Sequence, residues 1–367
     1  MASPVPPSAA DAPKKVTLTG YVGFDTITQQ IERKLVKRGF AFNVMVVGRS
    51  GMGKSTLVNT LFAAHLKDSN APKRADTFRQ TVDIQSISHV IEENGVRLKL
   101  TITDTPGYGD QVNNDNWYDD ECRELPAGKG LIRRGARSFI YSWDPIIKYI
   151  KEQYSAYLRK ELTPAREKRI PDTRIHAVLF FIAPTGHAPL DITVMKKISE
   201  VANVIPVIAK ADSLTMEERT AFKRRIKEEI EFHGIRCYPY IDIEEDVILS
   251  DTDRVERQTV QMIRDMIPFA IVGSERNVVI DGKAVRGRRT RWGIIDVENE
   301  SHCEFVHLRN FLTRTHLQDM IETTASVHYE AFRTKQLVAL KESTSQMGSY
   351  RSGPDTSSMT ASQISAA

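Results

Sequence analysis

A glycine-rich stretch in the first quarter of the chain has the residue types needed to hold phosphate groups. It reads Gly48-Arg-Ser-Gly-Met-Gly53-Lys54-Ser55 and fits the spacing G-x-x-x-x-G-K-[ST], between an apolar run and a helical pattern. The glycines let backbone N–H groups turn toward phosphate oxygens, and the following helix start adds a favourable dipole. Lys54 is predicted to reach the β- and γ-phosphates, and Ser55 to bind Mg²⁺. The residues expected to contact nucleotide here are Gly48, Ser50, Gly51, Gly53, Lys54, Ser55 and Thr56.

A second motif, Asp104-Thr-Pro-Gly107, follows an apolar run about 50 residues beyond Lys54. A carboxylate at this place suits a Mg²⁺-linked aspartate. Gly107 offers a backbone N–H that a γ-phosphate could hold, which would couple the next segment to the nucleotide. Tyr108 stands where Ras-type enzymes place a glutamine, so we expect slow hydrolysis.

A third motif, Ala209-Lys210-Ala211-Asp212, ends another apolar run. The carboxylate of Asp212 can accept hydrogen bonds from both N1–H and the exocyclic amine of guanine, and adenine lacks this pair of donors. Lys210 would pack its aliphatic stem against the base. The motif therefore predicts guanine over adenine, although its usual first residue is Asn and here it is Ala209.

The elements that must position these motifs alternate between strand and helix signals. Asn94-Gly95 lies between the runs 84–91 and 96–103, as in a β-hairpin. The alternation predicts an α/β fold with a mostly parallel sheet covered on both faces. Buried strands are expected at 42–47, 98–103, 176–183, 204–209 and 268–272.

Helix starts are also marked in the sequence. Thr215 with Glu218, and Ser301 with Glu304, have capping-box spacing. A last helical stretch runs from about 318 to 340 and is too irregular for a coiled coil.

Bulk composition excludes several classes of protein. The chain has 367 residues, 41% hydrophobic, and a net charge of only +4. Cys122, Cys237 and Cys303 are far apart with no C-x-x-C spacing, which argues against a disulfide framework or a zinc site and favours a reducing compartment. The first residues lack the apolar run of a secretory signal, and no stretch reaches the roughly 18 apolar residues of a membrane span. Membrane contact is therefore expected to be peripheral.

Taken together, these motifs resemble those of the septin family. Gly20-Tyr-Val-Gly-Phe-Asp25 is similar to the segment that opens that family, and Arg291–Arg333 is similar to its unique element. The resemblance implies a Ras-like, three-layer P-loop GTPase fold with a C-terminal septin unique element. It also implies GTP or GDP with Mg²⁺ as ligands, and polymerisation through one face that contains the nucleotide and another built from terminal helices.

The implied organisation has five parts. We expect a disordered tail at 1–19, a basic helical segment at 20–40, a G domain at 41–290 with an insertion at 117–141, the unique element with C-terminal helices at 291–340, and a disordered tail at 341–367.

The resemblance assigns further roles residue by residue. Thr81 falls at the switch threonine that binds Mg²⁺ and orients the attacking water, so the implied catalytic group is Thr81 with Lys54 and Gly107. Gly273 and Arg288 fall at base-contacting positions. His187 falls where the family reaches a partner's nucleotide, and Trp292 at an interface aromatic. Simpler interpretations are an ordinary strand threonine at 81, a solvated loop histidine at 187 and a solvated basic turn around 288.

Three departures from the family pattern are visible. Arg289-Thr-Arg291 precedes Trp292, which adds positive charge near the expected nucleotide face and suggests an arginine acting in trans. The loop after His187 is short, which puts the trans contact in question. The stretch 117–141 is an insertion, with a mobile loop and a retained intron as the two interpretations.

Arg33, Lys34, Lys37 and Arg38 form a basic cluster on the expected first helix. The resemblance implies an anionic phosphoinositide surface as its ligand, and the simpler interpretation is a solvated helix face.

The favoured function is a filament-forming cytoskeletal GTPase of the cytoplasm that acts with copies of itself or with other septins, at membranes or during cell division, and without nucleic acid. The alternatives are a solitary GTPase switch and a P-loop ATPase or kinase, and Asp212 argues against the last.

Overall fold

A computed structural model describes nine segments of the chain: 26–61, 84–93, 95–107, 144–163, 170–184, 186, 189–240, 251–280 and 282–351. Side chains are described in all of these except 251–256 and 343–351.

The main sheet has six strands in the order β2-β3-β1-β4-β5-β6. Strands β3 and β4 run parallel to β1 on either side of it, and β5 and β6 continue in parallel. Among the described strands of this sheet, β2 alone is antiparallel to its neighbour. The six strands are β1 (Phe40–Val47), β2 (Gln85–Glu93), β3 (Val96–Asp104), β4 (Ala177–Ile182), β5 (Val204–Ile208) and β6 (Phe269–Ala270).

Each of the five apolar runs of the sequence corresponds to a strand of this sheet, although in the run 268–272 the strand covers only Phe269–Ala270. Every residue of β4 and β5 is buried, because parallel strands in the middle of a sheet are covered on both faces. The hairpin is also confirmed, since β2 and β3 pair antiparallel from Gln85 opposite Asp104 to Glu93 opposite Val96.

Nine helices accompany the two sheets in the described residues. On α3 the buried side chains recur at every fourth residue, from Ile146 through Ile150 and Tyr154 to Leu158, which is the stripe of a helix packed on a sheet. The helices are α1 (Ile27–Arg38), α2 (Lys54–Leu61), α3 (Asp144–Leu162), α4 (Pro189–Ser199), α5 (Met216–Phe232), α6 (Asp251–Met266), α7 (Phe305–Asn310), α8 (Leu317–Thr323) and α9 (Glu330–Arg351).

Only one of the two expected capping boxes forms. Thr215 accepts from the backbone N–H of Glu218, and the carboxylate of Glu218 accepts from the backbone N–H of Thr215, at the start of α5. The box at Ser301 was wrong: its hydroxyl donates to Asn299 at 2.6 Å, and α7 begins at Phe305 without a side-chain cap.

The carboxylate of Glu304, which would have completed that box, is occupied elsewhere. It accepts from Lys223 at 2.7 Å and from the backbone N–H of Ala270 at 2.7 Å. These tertiary partners use both carboxylate oxygens of Glu304, so the side chain does not complete the local capping pattern.

The C-terminal part adds a second, three-stranded sheet and a chain of helices. The order is β7 (Asn277–Ile280), β8 (Lys283–Thr290) and β9 (Gly293–Asp296), paired antiparallel. Turns of π-helix at Phe311–Thr315 and Thr324–Tyr329 join α7, α8 and α9. Helix α9 runs to Arg351, beyond the end expected at residue 340, because propagating an existing helix costs little even through serine and threonine.

A buried asparagine attaches the terminal helices to the main sheet. The side-chain amide of Asn203 donates to the carbonyls of His176 and Met320 and to the hydroxyl of Thr324, at 2.9 to 3.1 Å. Its oxygen lies 3.1 Å from Nε2 of His328, whose pKa is lowered to about 4, mainly by burial. The terminal helices are therefore fixed to the start of β5 by polar contacts as well as by apolar packing.

Among the residues the structure describes, no helix has the length and apolar character needed to cross a membrane.

Candidate functional site

The phosphate loop connects the end of β1 to the start of α2, as its motif predicted. Its two central glycines, Gly51 and Gly53, have positive φ angles of 72° and 84°. This backbone conformation is strained for residues with a side chain, so glycine is required at both places. Helix α2 begins with Lys54, and its first backbone bond runs from Leu57 N to Gly53 O at 2.9 Å.

Lys54 closes the loop from within. The residue is buried, with 8% of its surface exposed, and its Nζ donates to the carbonyls of Gly48 at 2.8 Å and Arg49 at 2.9 Å. A buried ammonium group held among backbone amides, at a helix N-terminus, makes this loop suitable for an anion.

Ser55, in the first turn of α2, contacts Asp104, the last residue of β3. The hydroxyl of Ser55 donates to Oδ2 of Asp104 at 3.2 Å. The parallel register places Asp104 beside Val46, so the carboxyl ends of both strands bring the motifs together. Hydroxyl and carboxylate oxygens are the donors that Mg²⁺ prefers, and the pair fits that ion.

Gly107 lies directly against the phosphate loop. A Cβ atom at this position would lie 2.2 Å from the backbone nitrogen of Ser50, so a side chain has no room there. Thr105, fully buried, fixes the segment by donating its hydroxyl to the carbonyl of Val46 at 2.9 Å. The Asp104–Gly107 turn is thus held at the loop, where the sequence placed it.

A cavity of about 630 Å³ opens beside the loop, a size typical of small-molecule sites. Its wall includes Gly273 and Arg288, the two residues expected to contact a base, and also Arg289. Lys210, also in the wall, has the left-handed conformation (φ 48°, ψ 48°), alone among described non-glycine residues. Such strain is typical of functional sites.

Asp212 lies beside this cavity with 8% of its side chain exposed. Its Oδ2 is 3.2 Å from Nη1 of Arg288. Its Oδ1 is buried and makes no hydrogen bond within the part of the chain that the structure describes. A buried acceptor without a donor is costly, and the N–H groups of a guanine edge would satisfy it.

Sequence reasoning missed the residues that stabilise the strained turn. Ser213 donates to the carbonyl of Lys210 from its hydroxyl at 2.8 Å and from its backbone at 3.0 Å. Ala211 N donates to the carbonyl of Ile271 at 3.0 Å, beyond the end of β6. A serine three residues after a turn residue is a usable local signal, whereas the bond to Ile271 has none.

Sequence reasoning also assigned no role to Arg49, which lies inside the phosphate motif itself. Its guanidinium pairs with Asp191 of α4 through Nε at 3.3 Å and Nη2 at 3.0 Å. Within the motif Arg49 is a charged residue at a position that can hold any residue, and the sequence carries no sign of its partner Asp191.

Most of the other predicted residues lie away from the cavity or in parts of the chain that the structure does not describe. Thr81, Tyr108, His187 and the stretch 117–141 lie outside the described residues. Trp292 and Arg291 are exposed at the turn between β8 and β9, with Trp292 94% exposed, whereas Arg289, also exposed, lines the cavity. The four basic residues of the first helix, Arg33, Lys34, Lys37 and Arg38, are all exposed on α1.

Fold and site together define the class: a Ras-like α/β protein with a P-loop, in which Asp212 lies where the sequence predicts the contact to guanine. Comparison with known proteins then identifies the family. The septin family model matches residues 38–125 and 138–346, which leaves 126–137 unmatched within the suggested insertion.

Two curated relatives agree with this family match, and one solved structure has the same fold. "Septin homolog spn2" of Schizosaccharomyces pombe is 54% identical over 92% of this chain and 95% of its own length. "Cell division control protein 10" of Candida albicans is 51% identical over 89% of this chain and 83% of its own. A septin GTPase domain structure from Chlamydomonas reinhardtii, 23% identical, superposes with a TM-score of 0.54 over 81% of this chain and 99% of its own. The chain belongs to the septin family.

Proposed function

We propose that this chain is a filament-forming cytoskeletal GTPase, which binds GTP and GDP with Mg²⁺, hydrolyses GTP slowly, and uses the nucleotide to stabilise a subunit contact. The observation that carries the proposal is that Lys54, Ser55 and Asp104 lie together at the phosphate loop, and that the cavity beside this loop is lined by Arg288, which pairs with Asp212. One nucleotide can contact both sets of residues, with its phosphates at the loop and its base in the cavity near Asp212.

Each of these residues has a defined task in phosphoryl transfer to water. Lys54 and the loop amides hold the negative charge of the phosphates, and Gly107 N–H holds the terminal phosphate. Ser55, Thr81 and Asp104 would hold Mg²⁺, which supplies charge neutralisation between the phosphates.

Thr81 would also orient the attacking water. A Thr81→Ala variant should therefore bind GTP with nearly unchanged affinity and hydrolyse it at least tenfold more slowly. Single-turnover phosphate release measures this, and an unchanged rate would remove Thr81 from the mechanism.

A solitary switch and a filament subunit differ in what surrounds the nucleotide. Trp292 is a large apolar residue with 94% of its surface exposed, and it lies on the same β8–β9 unit that carries Arg288, one of the base-cavity residues. Burial of such a side chain by another subunit would be favourable by a few kcal/mol. His187 would complete the contact by reaching the partner's nucleotide.

Electron microscopy at low and high salt tests assembly. Filaments at low salt that shorten at high salt are the expected result, and Trp292→Ala should shorten them. Monomers under all conditions, with or without a second septin, would leave the solitary switch as the function. Similarity to a cell division control protein favours cell division and the cytoplasmic cytoskeleton as the setting.

The two additional arginines on this face, Arg289 and Arg291, are candidates for a charge stabiliser in trans. Each is replaced by Gln in turn, and GTP turnover is measured at concentrations that permit assembly. A loss that appears only in the assembled state supports the role, and unchanged rates refute it.

Peripheral membrane binding is proposed for α1, on which none of the described side chains is buried. Arg33, Lys34, Lys37 and Arg38 could each add about 1 kcal/mol at an anionic surface. In a flotation assay with phosphoinositide vesicles, the wild-type protein should float with the vesicles, and the variant in which all four residues are Gln should not. The matched control neutralises four exposed charges elsewhere, Arg159, Lys160, Arg224 and Arg225. Equal flotation of both variants would refute the proposal.

A further inference from the structure

Arg49 and Asp191 form a two-point ion pair beneath the phosphate loop. The guanidinium donates from Nε to Oδ1 at 3.3 Å and from Nη2 to Oδ2 at 3.0 Å. This fork geometry fixes both the position and the plane of the guanidinium, which a single contact would not do. The two residues belong to different elements, the loop after β1 and the first turn of α4.

The pair is asymmetric in its burial. The Asp191 side chain is 1% exposed, whereas the Arg49 side chain is 31% exposed. Asp191 stands in the first turn of α4, where the helix dipole favours a negative charge. The carboxylate is therefore a fixed anchor, and Arg49 is the part of the loop that is attached to it.

The backbone of the same arginine contacts the phosphate-binding lysine. The carbonyl of Arg49 accepts from Nζ of Lys54 at 2.9 Å, beside the bond from Lys54 to Gly48 at 2.8 Å. A displacement of Arg49 would move one of the two carbonyls that hold the ammonium group. The ion pair thus acts on the loop through the main chain, without reaching the cavity itself.

We propose that Arg49 is a positioning residue: its attachment to Asp191 pre-organises the loop and Lys54, and so sets the affinity for the β-phosphate of a guanine nucleotide. The inference rests on the proposed nucleotide binding and adds to it a determinant within this chain. Pre-organisation raises affinity because less ordering remains to be done on binding.

The test compares ligands that differ in one phosphate. Dissociation constants for GDP and GMP are measured by calorimetry on nucleotide-free protein for wild type, Arg49→Lys, Asp191→Asn and the double variant. Lysine keeps the charge but not the fork. Either single change should weaken GDP binding on the order of tenfold and GMP binding less than twofold. The double variant should lose less GDP affinity than the two single losses combined, because both changes break the same ion pair.

The matched control is Arg309→Lys, since Arg309 and Glu298 form a similar fork at 2.6 and 2.7 Å away from the loop. It should leave both affinities unchanged. Arg49→Lys is expected to fold even if Asp191→Asn does not, because Arg49 is partly exposed. Unchanged GDP affinity in Arg49→Lys, or equal losses for GDP and GMP, would overturn the inference. A wild-type protein that binds neither ligand would instead overturn the proposed function.

Discussion

The guanidinium of Arg288 lies 3.2 Å from the carboxylate of Asp212, with Nη1 facing Oδ2. The two residues come from different parts of the fold, β8 and the turn after β5, and meet at the cavity beside the phosphate loop. The pair holds one carboxylate oxygen and leaves Oδ1 buried without a hydrogen bond in the described part of the chain. Arg288 therefore orients the aspartate and leaves Oδ1 as the acceptor that the proposed guanine base would use.

Asp212→Asn should change base preference. An Asn amide can accept from only one of the two guanine N–H groups and presents its own donors to the other. Loss of a charged acceptor for two donors should weaken GDP on the order of 100-fold. Xanthosine diphosphate, which has a carbonyl in place of the amine, should bind the variant better than GDP does.

Competition binding with both diphosphates measures this preference. Glu298→Gln, which removes a carboxylate from the exposed pair with Arg309, is the control and should bind GDP as wild type does. GDP binding unaltered in Asp212→Asn would contradict the assignment of the base site.

Ser55→Ala should make nucleotide release insensitive to Mg²⁺. The hydroxyl is the oxygen donor beside Asp104, at 3.2 Å, and its loss removes one of the predicted ligands. In wild type, chelation should speed GDP release, whereas the variant should release GDP quickly with or without the ion. Ser326→Ala, on an exposed helical turn, is the control. A variant that still responds to chelation like wild type would exclude Ser55 as a ligand.

Thr215→Ala should lower the free energy of unfolding by about 1 kcal/mol, because it removes the N-cap of α5. Ser301→Ala is the informative comparison, since the two residues have the same motif and only Thr215 caps a helix. Its cost should be a few tenths of a kcal/mol at most. Urea unfolding measures both, and equal losses would show that the Ser301 turn acts as a cap after all.

Stability should fall on acidification because of His328. Burial, with a smaller contribution from Arg236, lowers its pKa from 6.5 to about 4 in the folded protein. The unfolded chain thus binds the proton more readily between these values, so the stabilisation is present above pH 6.5 and is lost as the pH falls toward 4. Protonation of His328 should lower the free energy of unfolding by on the order of 3 kcal/mol across that pH range.

Urea unfolding of wild type and His328→Gln between pH 7 and pH 4 measures this slope. The variant should show a shallower decline, though some remains because burial also lowers the pKa of His316. His233→Gln, at an exposed helix end, is the control and should keep the wild-type slope. Parallel curves for wild type and His328→Gln would contradict the prediction.

Much of the fold followed from local patterns. The apolar runs form strands because a strand buried on both faces needs consecutive apolar residues. A few neighbouring positions are enough to show that pattern. The phosphate loop, the β2–β3 hairpin and the Thr215 cap are equally local, since each depends on residues within one short segment. Ser301 shows the limit, because the same spacing gave no cap where Asn299 bonds the hydroxyl of Ser301 and Lys223 bonds the carboxylate of Glu304.

The sequence by itself determined which residues could hold phosphate and read guanine, because glycine conformation, lysine charge and aspartate acceptors are properties of residue type. Only the tertiary structure decided which distant residues complete them. Asp191 meets Arg49, and Arg288 meets Asp212, through pairings of separate elements that no spacing along the chain encodes. Such contacts are set by the parallel register and by packing, since ion pairs form wherever the fold brings opposite charges together.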